Sequence, residues 1–287
     1  MIASSIDITL CNSLYLQFIN VVSFHLITFT ATDPRHESLR EKIRNTWGLI
    51  CSKVEWCSYT FIVGHLANNS IIETKIRNES LCHKDILQEP FIDSYNNLTL
   101  KSVYLLKHFV HQRTRMSFLL KVDDDSFINI RGLHQMLRNL KQKNNLFRKG
   151  LIGFLQKGLK SNHWLPTVHR PTTKSLQNEE LKKWIVPRYM YRKRLFPQFL
   201  AGAGYLVARN DAQCLLNTSQ IVSIIHLEDV YITGLCALKC NIRRIHHQGF
   251  KARRDAILET IISQSDVVLH YANESVIEYL HQQTLKF

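Results

Sequence analysis

The hydrophobic positions of the chain fall into short apolar runs that alternate with longer amphipathic segments. Runs rich in β-branched and aromatic residues predict buried strands, at residues 21–31, 59–63, 118–122, 151–155 and 266–271. Apolar residues spaced three and four positions apart predict helices, at residues 71–81, 98–112, 133–144, 232–238 and 275–283. Strands that alternate with helices are typical of a sheet covered by helices on both faces. We therefore predict an α/β fold.

The helix after the first strand is predicted to begin at Asp33 and to end at Gly48. Aspartate is a favoured N-cap residue, and Pro34 suits the first helical position. Glycine often follows the last turn of a helix. Four-residue spacing gives this helix a buried stripe of Leu39, Ile43 and Trp47.

Arg40 and Arg44 lie on a neighbouring face of the same predicted helix. Two interpretations stay open on the pattern alone. The arginines are either solvated, or they face an anionic ligand such as a nucleotide from the segment that follows the first strand.

An acidic triplet, Asp123, Asp124 and Asp125, directly follows the apolar run 118–122. Three adjacent carboxylates repel one another, so a fold tolerates them in water, at a helix start or around a cation. Ligands of open α/β sheets collect at the carboxyl ends of strands. The apolar residues Phe127 and Ile128 follow at once, which disfavours a solvated loop and favours a cation site.

The small residues Gly202, Ala203 and Gly204 interrupt the apolar segment 199–207. Glycine inside such a segment indicates a bulge or the close approach of a backbone or ligand. Tight packing of strands explains the same residues nearly as well.

Two further candidates have a structural alternative beside the functional one. Glu228 and Asp229 precede a predicted helix, where they either complement the helix dipole or supply a general base. His270 lies in the predicted strand 266–271, where a histidine is usually a core residue and less often a ligand.

A long connection, residues 157–194, is basic, contains three prolines and lacks clear periodicity. Connections of this length are commonly functional. We therefore expect it to contribute to substrate binding.

The chain of 287 residues carries a formal charge of +14, which favours an anionic partner. Its basic residues are spread along the sequence and form no nucleic-acid-binding motif. The acidic triplet would also oppose a polyanion locally, so we expect no nucleic-acid partner.

Cysteines and glycosylation motifs favour an oxidising, lumenal compartment. None of the seven cysteines forms the C-x-x-C spacing of a zinc site. Sequons of the form N-x-S/T begin at Asn68, Asn78, Asn97, Asn217 and Asn273. Residues 1–20 are predicted to be an N-terminal stub before a domain at 21–287. This stub is too short and too polar for a membrane span, and no Lys or Arg precedes Arg35.

Five sequence blocks together resemble the family-31 glycosyltransferases, the β-1,3-galactosyl- and β-1,3-N-acetylglucosaminyltransferases of the secretory pathway. In chain order these are REKIRNTWG at 40–48, DSYNNLTLKS at 93–102, KVDDDSFIN at 121–129, FPQFLAGAGYLV at 196–207 and HLEDVYITGLC at 226–236. The resemblance implies a GT-A fold with a mixed central sheet flanked by helices. It also implies Mn²⁺-dependent, inverting transfer from a UDP-sugar to a glycan acceptor.

The resemblance also assigns roles to residues. Asp125 and His270 are expected to bind the metal, and Asp123 and Asp124 to face the nucleotide sugar. Asp229 is expected to be the base, with Glu228 as the alternative. The resemblance further implies contacts with the nucleotide or a sugar for Arg40, Arg44, Gly202, Ala203 and Gly204.

Within the family, the sequence is slightly nearer to the galactosyl branch, so UDP-galactose is the favoured donor. An N-acetylglucosaminyltransferase is the first alternative, and a non-catalytic glycan-binding relative is the second. The family implies a type II membrane protein of the Golgi lumen, although no anchor is evident in this sequence.

Overall fold

A computed structural model describes residues 26–67, 69–111, 116–142, 150–161, 183–252 and 262–286. Seven strands form the central sheet: β1 (Leu26–Ala31), β2 (Cys57–His65), β3 (Ile86–Ile92), β4 (Phe118–Asp123), β6 (Leu151–Gln156), β7 (Phe199–Ala208) and β8 (Arg244–His246). Their order is β3-β2-β1-β4-β7-β6-β8. The first four strands are parallel, and β7 runs antiparallel to both of its neighbours. The predicted mixed sheet is confirmed.

A small second sheet lies beside the end of β4. It consists of β5 (Ser126–Ile128), β9 (Phe250–Lys251) and β10 (Val268–His270), in the order β5-β10-β9. The pairing of β5 with β10 is antiparallel and sets His270 opposite Ser126. The backbone N–H of Ala272 also donates to the carbonyl of Asp125 at 2.8 Å. These contacts bring the distant strand β10 to the acidic triplet.

Helices cover both faces of the central sheet, as predicted. They are α1 (Glu37–Asn45), α2 (Trp47–Ser52), α3 (Ser70–His83), α4 (Leu98–His111), α5 (Ile130–Gln142), α6 (Arg209–Ser219), α7 (Ala237–Lys239) and α8 (Glu274–Thr284). A π-helical segment, Val230–Cys236, precedes α7, and a 3₁₀ turn, Tyr95–Asn97, precedes α4. Because side chains alternate along each strand, neighbouring residues enter different cores. Leu120 belongs to one hydrophobic cluster, and Leu119 to the other.

The prediction of one helix from Asp33 to Gly48 is wrong at both ends. Helix α1 begins at Glu37, and the Asp33 carboxylate instead accepts hydrogen bonds from the backbone and side chain of Arg35. The chain breaks at Thr46, whose φ and ψ are −120° and −112°, and α2 then starts at Trp47. Gly48 lies inside α2, where a Cβ atom would come within 2.7 Å of the carbonyl oxygen of Ile43.

Several predictions fall outside the described residues. These include the N-terminal stub, the first five residues of the predicted strand 21–31, and the central part of the connection 157–194. The division into residues 1–20 and 21–287 stays a prediction. Among the described helices, none combines the length and the apolar character needed to cross a membrane.

Two disulfides form, which the sequence alone did not specify. Cys51–Cys57 connects α2 to the start of β2, and Cys214–Cys240 connects α6 to the residue after α7. Among the described cysteines, Cys82 and Cys236 are free.

Candidate active site

Two residues of the acidic triplet meet His270 at the carboxyl end of β4. One ligand atom from each of Asp123, Asp125 and His270 lies within 4.8 Å of the others. Nε2 of His270 is 3.2 Å from Oδ1 of Asp125. Two carboxylate oxygens and an imidazole nitrogen suit a divalent cation such as Mn²⁺, which accepts both ligand types. The donor set therefore fits the metal that the sequence led us to expect.

The electrostatic environment of this cluster is shaped by burial and by mutual charge. Burial raises the pKa of Asp123, and the charge of Asp125 raises it further. Lys121 and His270 lower this pKa, but it stays above its ordinary value. For His270, burial lowers the pKa, but the hydrogen bond to Asp125 and the charges of Asp125 and Asp123 raise it above the ordinary value overall. The hydrogen bond and the charges of the two carboxylates thus hold the imidazole of His270 beside Asp125.

The middle residue of the triplet, Asp124, makes contacts at the end of β1. Its Oδ2 accepts a hydrogen bond from the Thr32 hydroxyl at 2.7 Å and lies 2.8 Å from Nδ1 of His36. Its backbone N–H donates to the carbonyl of Ala31. Asp124 therefore ties β4 to the segment after β1, and its predicted contact with a nucleotide sugar stays a prediction.

A buried lysine, Lys121, connects the acidic triplet to the other candidate residues. Its Nζ donates to Oδ1 of Asp123 and to the carbonyl of Gly202, both at 2.6 Å, and it lies 3.4 Å from Oε2 of Glu228. Lys121 was not among the site residues predicted from the sequence. The sequence does carry one signal for this residue. Side chains two positions apart in a strand point to the same face, so a lysine at position 121 is expected on the face of Asp123.

Glu228 and Asp229 begin the turn that enters the π-helix, and their environments differ. Glu228 is buried, and its Oε1 accepts a hydrogen bond from the Tyr205 hydroxyl at 2.5 Å. Asp229 is half-buried and accepts hydrogen bonds from the backbone N–H groups of Gly202 at 3.2 Å and Val230 at 2.8 Å. Burial, followed by the charge of Glu228, raises the pKa of Asp229 to about 7.

The π-helix is fixed against β7 by Thr233. Its hydroxyl accepts the backbone N–H of Leu200 at 2.8 Å and donates to the carbonyl of Asp229 at 2.6 Å. Single π-turns are frequent at functional sites. This one holds Asp229 beside the start of the small-residue segment.

The three small residues of β7 have different environments. A Cβ atom on Gly204 would come within 3.0 Å of Val268, so this glycine allows β7 to pack closely against β10. The carbonyl of Ala203 accepts a hydrogen bond from the Ser126 hydroxyl at 3.0 Å. Both backbone polar groups of Gly202 bind site residues, as described above. Strand packing explains Gly204, and sugar contacts of the three residues stay predictions.

Arg40 and Arg44 are both paired with carboxylates of the protein. Arg40 has no exposed surface, and two of its nitrogens donate to Glu79 at 2.8 and 2.6 Å. Arg44 pairs with Asp85 and Glu79, with 2.8 Å contacts to each. The interpretation that these arginines are solvated is wrong, and their predicted contact with a nucleotide stays a prediction. Trp47 is fully buried, as expected for a core residue.

The sequence matches the Galactosyltransferase family over residues 38–248, which is most of the chain. The chain belongs to this family. The match contains the acidic triplet, the small-residue segment and the Glu228–Asp229 pair, while His270 lies beyond it.

Similar proteins include both donor types considered above. The chain is 29% identical to human beta-1,3-galactosyltransferase 1 over 78% of this chain and 63% of that protein. It is 32% identical to the chimpanzee (Pan troglodytes) beta-1,3-galactosyltransferase 5 over 78% of this chain and 69% of that protein. It is 26% identical to lactosylceramide 1,3-N-acetyl-beta-D-glucosaminyltransferase A of Danio rerio, over 89% of this chain and 64% of that protein. The matched region is thus a little under two thirds of the length of the first of these relatives.

Proposed function

We propose that this chain transfers a hexose, most favourably galactose, from a UDP-sugar to the 3-hydroxyl of an acceptor glycan with inversion at the anomeric carbon. The observation that carries the proposal is the convergence of β4, β7, β10 and the start of the π-helix on one site. The cluster of Asp123, Asp125 and His270 is joined to Glu228 through Lys121, and Lys121 and Asp229 both bind the backbone of Gly202.

In the proposed site, Asp125 and His270 would hold a divalent cation, with Asp123 beside them. When bound, Mn²⁺ would stabilise the negative charge that develops on the departing diphosphate. The remaining task of the protein is to orient the acceptor and to remove its proton.

Asp229 is the proposed general base. A direct displacement forms a bond from the acceptor oxygen to the anomeric carbon and breaks the bond to UDP, which leaves with the electron pair. The acceptor proton passes to the Asp229 carboxylate. A base works best with a pKa near the operating pH, which fits the raised pKa of about 7.

Glu228 is less suited to that task because it is buried, whereas Asp229 keeps partial exposure, and because its partners are a side-chain hydroxyl and an ammonium group. Tyr205 donates to one oxygen, and Lys121 lies 3.4 Å from the other. We therefore propose a positioning role for Glu228, in which it fixes the lysine between the two acidic groups.

An activity assay with a panel of sugar donors tests the proposal. The purified chain would be incubated with Mn²⁺, UDP-galactose or UDP-N-acetylglucosamine, and simple glycoside acceptors, with release of UDP measured and the new linkage identified by NMR. We expect a β-1,3-linked galactoside. An Asp125→Ala variant should lose cation-dependent UDP binding in calorimetry, and normal binding by that variant would contradict the proposed metal role.

The N-acetylglucosaminyltransferase is the second candidate, because the zebrafish relative of that kind aligns over 89% of this chain, compared with 78% for each of the two galactosyltransferases named above. Preference for UDP-N-acetylglucosamine in the same panel would support it. UDP binding without transfer to any acceptor would support a non-catalytic glycan-binding protein.

A lumenal location is part of the proposal, with the Golgi as the favoured compartment and a type II anchor expected from the family. Disulfides persist in oxidising compartments, and the protein forms two. Asn78, Asn217 and Asn273 of the predicted sequons are exposed, as glycosylation requires. Mass spectrometry before and after enzymatic removal of N-glycans would test this location.

A further inference from the structure

An exposed aromatic pair lies at the end of the sheet that carries the candidate active site. Tyr95 belongs to the 3₁₀ turn after β3, and Trp184 belongs to the described end of the basic connection 157–194. Their side chains are 38% and 43% exposed. The two rings meet edge to face with centroids 6.4 Å apart. They therefore form a continuous aromatic surface in contact with solvent.

Hydrogen bonds fix both aromatic segments to the residues that immediately precede Glu228. On the Tyr95 side, the Thr99 hydroxyl donates to the carbonyl of Ile225 at 2.7 Å. On the Trp184 side, Nε2 of His226 lies 3.0 Å from the carbonyl of Lys183, a geometry in which the ring N–H donates. The aromatic pair is thus held on both sides by the short segment that leads into the proposed base.

The charges of the candidate site reach Tyr95. Burial raises the pKa of its phenol, and the charges of Asp229, Asp123 and Glu228 raise it further. Such an effect requires the phenol to lie near these carboxylates, because screening weakens charge interactions over distance. This direction agrees with the hydrogen bonds to Ile225 and from His226, which hold the aromatic pair beside the segment that leads to Asp229.

The polar groups of this surface are available for a ligand. Within the part of the chain that the structure describes, the Tyr95 hydroxyl and the Trp184 indole N–H make no hydrogen bond. Nζ of Lys183 lies 5.6 Å from the Tyr95 ring centroid and 5.9 Å from that of Trp184. A surface with aromatic faces and free donors at its edges matches a pyranose, which has an apolar C–H face and a rim of hydroxyl groups.

We propose that Tyr95, Trp184 and Lys183 bind the acceptor sugar and hold its attacking hydroxyl toward Asp229. The proposal rests on the proposed transfer reaction, since it uses Asp229 as the base. The sugar ring packs on the aromatic surface, and its hydroxyls accept hydrogen bonds from the phenol, the indole and the lysine ammonium.

Kinetics of a Trp184→Ala variant test this site, with Tyr189→Ala as the matched control. Tyr189 lies five residues away and is 82% exposed. Loss of one aromatic contact should raise the KM for the acceptor about tenfold. Affinity for UDP in the presence of Mn²⁺ should stay within about twofold of the starting protein, because the ring contacts of Trp184 are with Tyr95 and Lys183 and not with the proposed metal or nucleotide residues. Tyr95→Phe should raise the acceptor KM less, since it removes only the hydroxyl.

Unchanged acceptor KM in Trp184→Ala, or an equal rise in Tyr189→Ala, would overturn the proposal. A loss of UDP affinity in parallel with acceptor binding would also overturn it, because that result indicates a general disturbance of the fold.

Failure of the proposed function gives a different result from failure of this site. If no sugar donor gives a product, saturation-transfer NMR with the same simple glycosides shows whether the acceptor site exists. Binding by the starting protein that is lost in Trp184→Ala and kept in Tyr189→Ala supports a glycan site without catalysis. No binding of any glycoside by the starting protein overturns the site as well.

Discussion

Glu228 and Asp229 are adjacent in the chain and carry the same functional group, yet the fold places their carboxylates in different environments. Glu228 is buried against the hydroxyl of Tyr205 and the ammonium of Lys121. Within the described residues, the carboxylate of Asp229 accepts hydrogen bonds only from backbone N–H groups and is partly exposed. A fixed carboxylate beside one with a raised pKa is the arrangement in which the second group can accept a proton.

Asp229→Asn should reduce transfer by at least about a hundredfold, because general base catalysis contributes on that order. UDP binding should be retained, since the substitution leaves the metal cluster intact. Steady-state rates and calorimetry with UDP and Mn²⁺ give the measurement. Glu228→Gln is the companion variant, and a larger loss there than in Asp229→Asn would reverse the two assignments.

The pH dependence of kcat/KM should also report Asp229. Only the carboxylate form accepts a proton, so activity should fall as the pH drops below the pKa of about 7 and should level off above it. The residual activity of Asp229→Asn should lack this acidic limb. Equal activity across that range in the starting protein would argue against Asp229 as the base.

Lys121→Met should lower the free energy of unfolding by about 3 kcal/mol, because removal of one partner leaves a buried charge without compensation. The charge in question is that of Glu228, which is buried beside the lysine. Urea denaturation gives the measurement, and the exposed Lys53→Met serves as the control. A change no larger than that of the control would show that the lysine charge does not hold the site together.

At the scale of elements, ion pairs brace α1 against its neighbours. Arg40 and Arg44 project from this helix to Glu79 on α3, and Arg44 also reaches Asp85 just before β3. Arg40 further donates to the carbonyl of Asp33 at 2.8 Å. The helix and the loop after β1 are thus fixed together, next to the strand end where Thr32 binds Asp124.

Arg44→Met separates a structural role from a nucleotide contact. Loss of one partner from a buried ion pair destabilises by about 3 kcal/mol. Arg35→Met, which removes an exposed pair with Asp33, should cost less than about 1 kcal/mol. Denaturation is measured together with UDP affinity. Normal stability with weakened UDP binding would instead support the predicted nucleotide contact.

At the scale of the whole molecule, two disulfides close loops of different length around the sheet. Cys51 and Cys57 are separated by 6 residues, and Cys214 and Cys240 by 26.

The positive charge is distributed over the whole chain, so it does not by itself identify one binding face.

Removal of the longer cross-link by a Cys214→Ala, Cys240→Ala double substitution should lower the free energy of unfolding by about 3 kcal/mol, because it frees the larger loop in the unfolded chain. Removal of the Cys51–Cys57 bond should cost about 2 kcal/mol. Thermal or urea denaturation under non-reducing conditions gives both values. A larger effect for the shorter loop would show that local strain or packing, not loop closure, dominates.

The sequence by itself determined the alternating strands and helices, the acidic triplet at the end of β4 and the resemblance from which His270 and Asp229 were assigned. Each of these depends on local spacing or on motifs that are contiguous in the chain. It did not determine the break at Thr46, after which Gly48 approaches the carbonyl of Ile43 closely. It also did not determine the strands β5 and β9, which are too short to show periodicity.

Only the tertiary structure decided which charged groups meet. The partners of Lys121 come from β4, β7 and the start of the π-helix, and those of Arg44 include residues 35 and 41 positions away. Pairings over such separations follow from sheet order and helix packing, which no local pattern records. For the same reason, only the structure showed that the rings of Tyr95 and Trp184 meet edge to face.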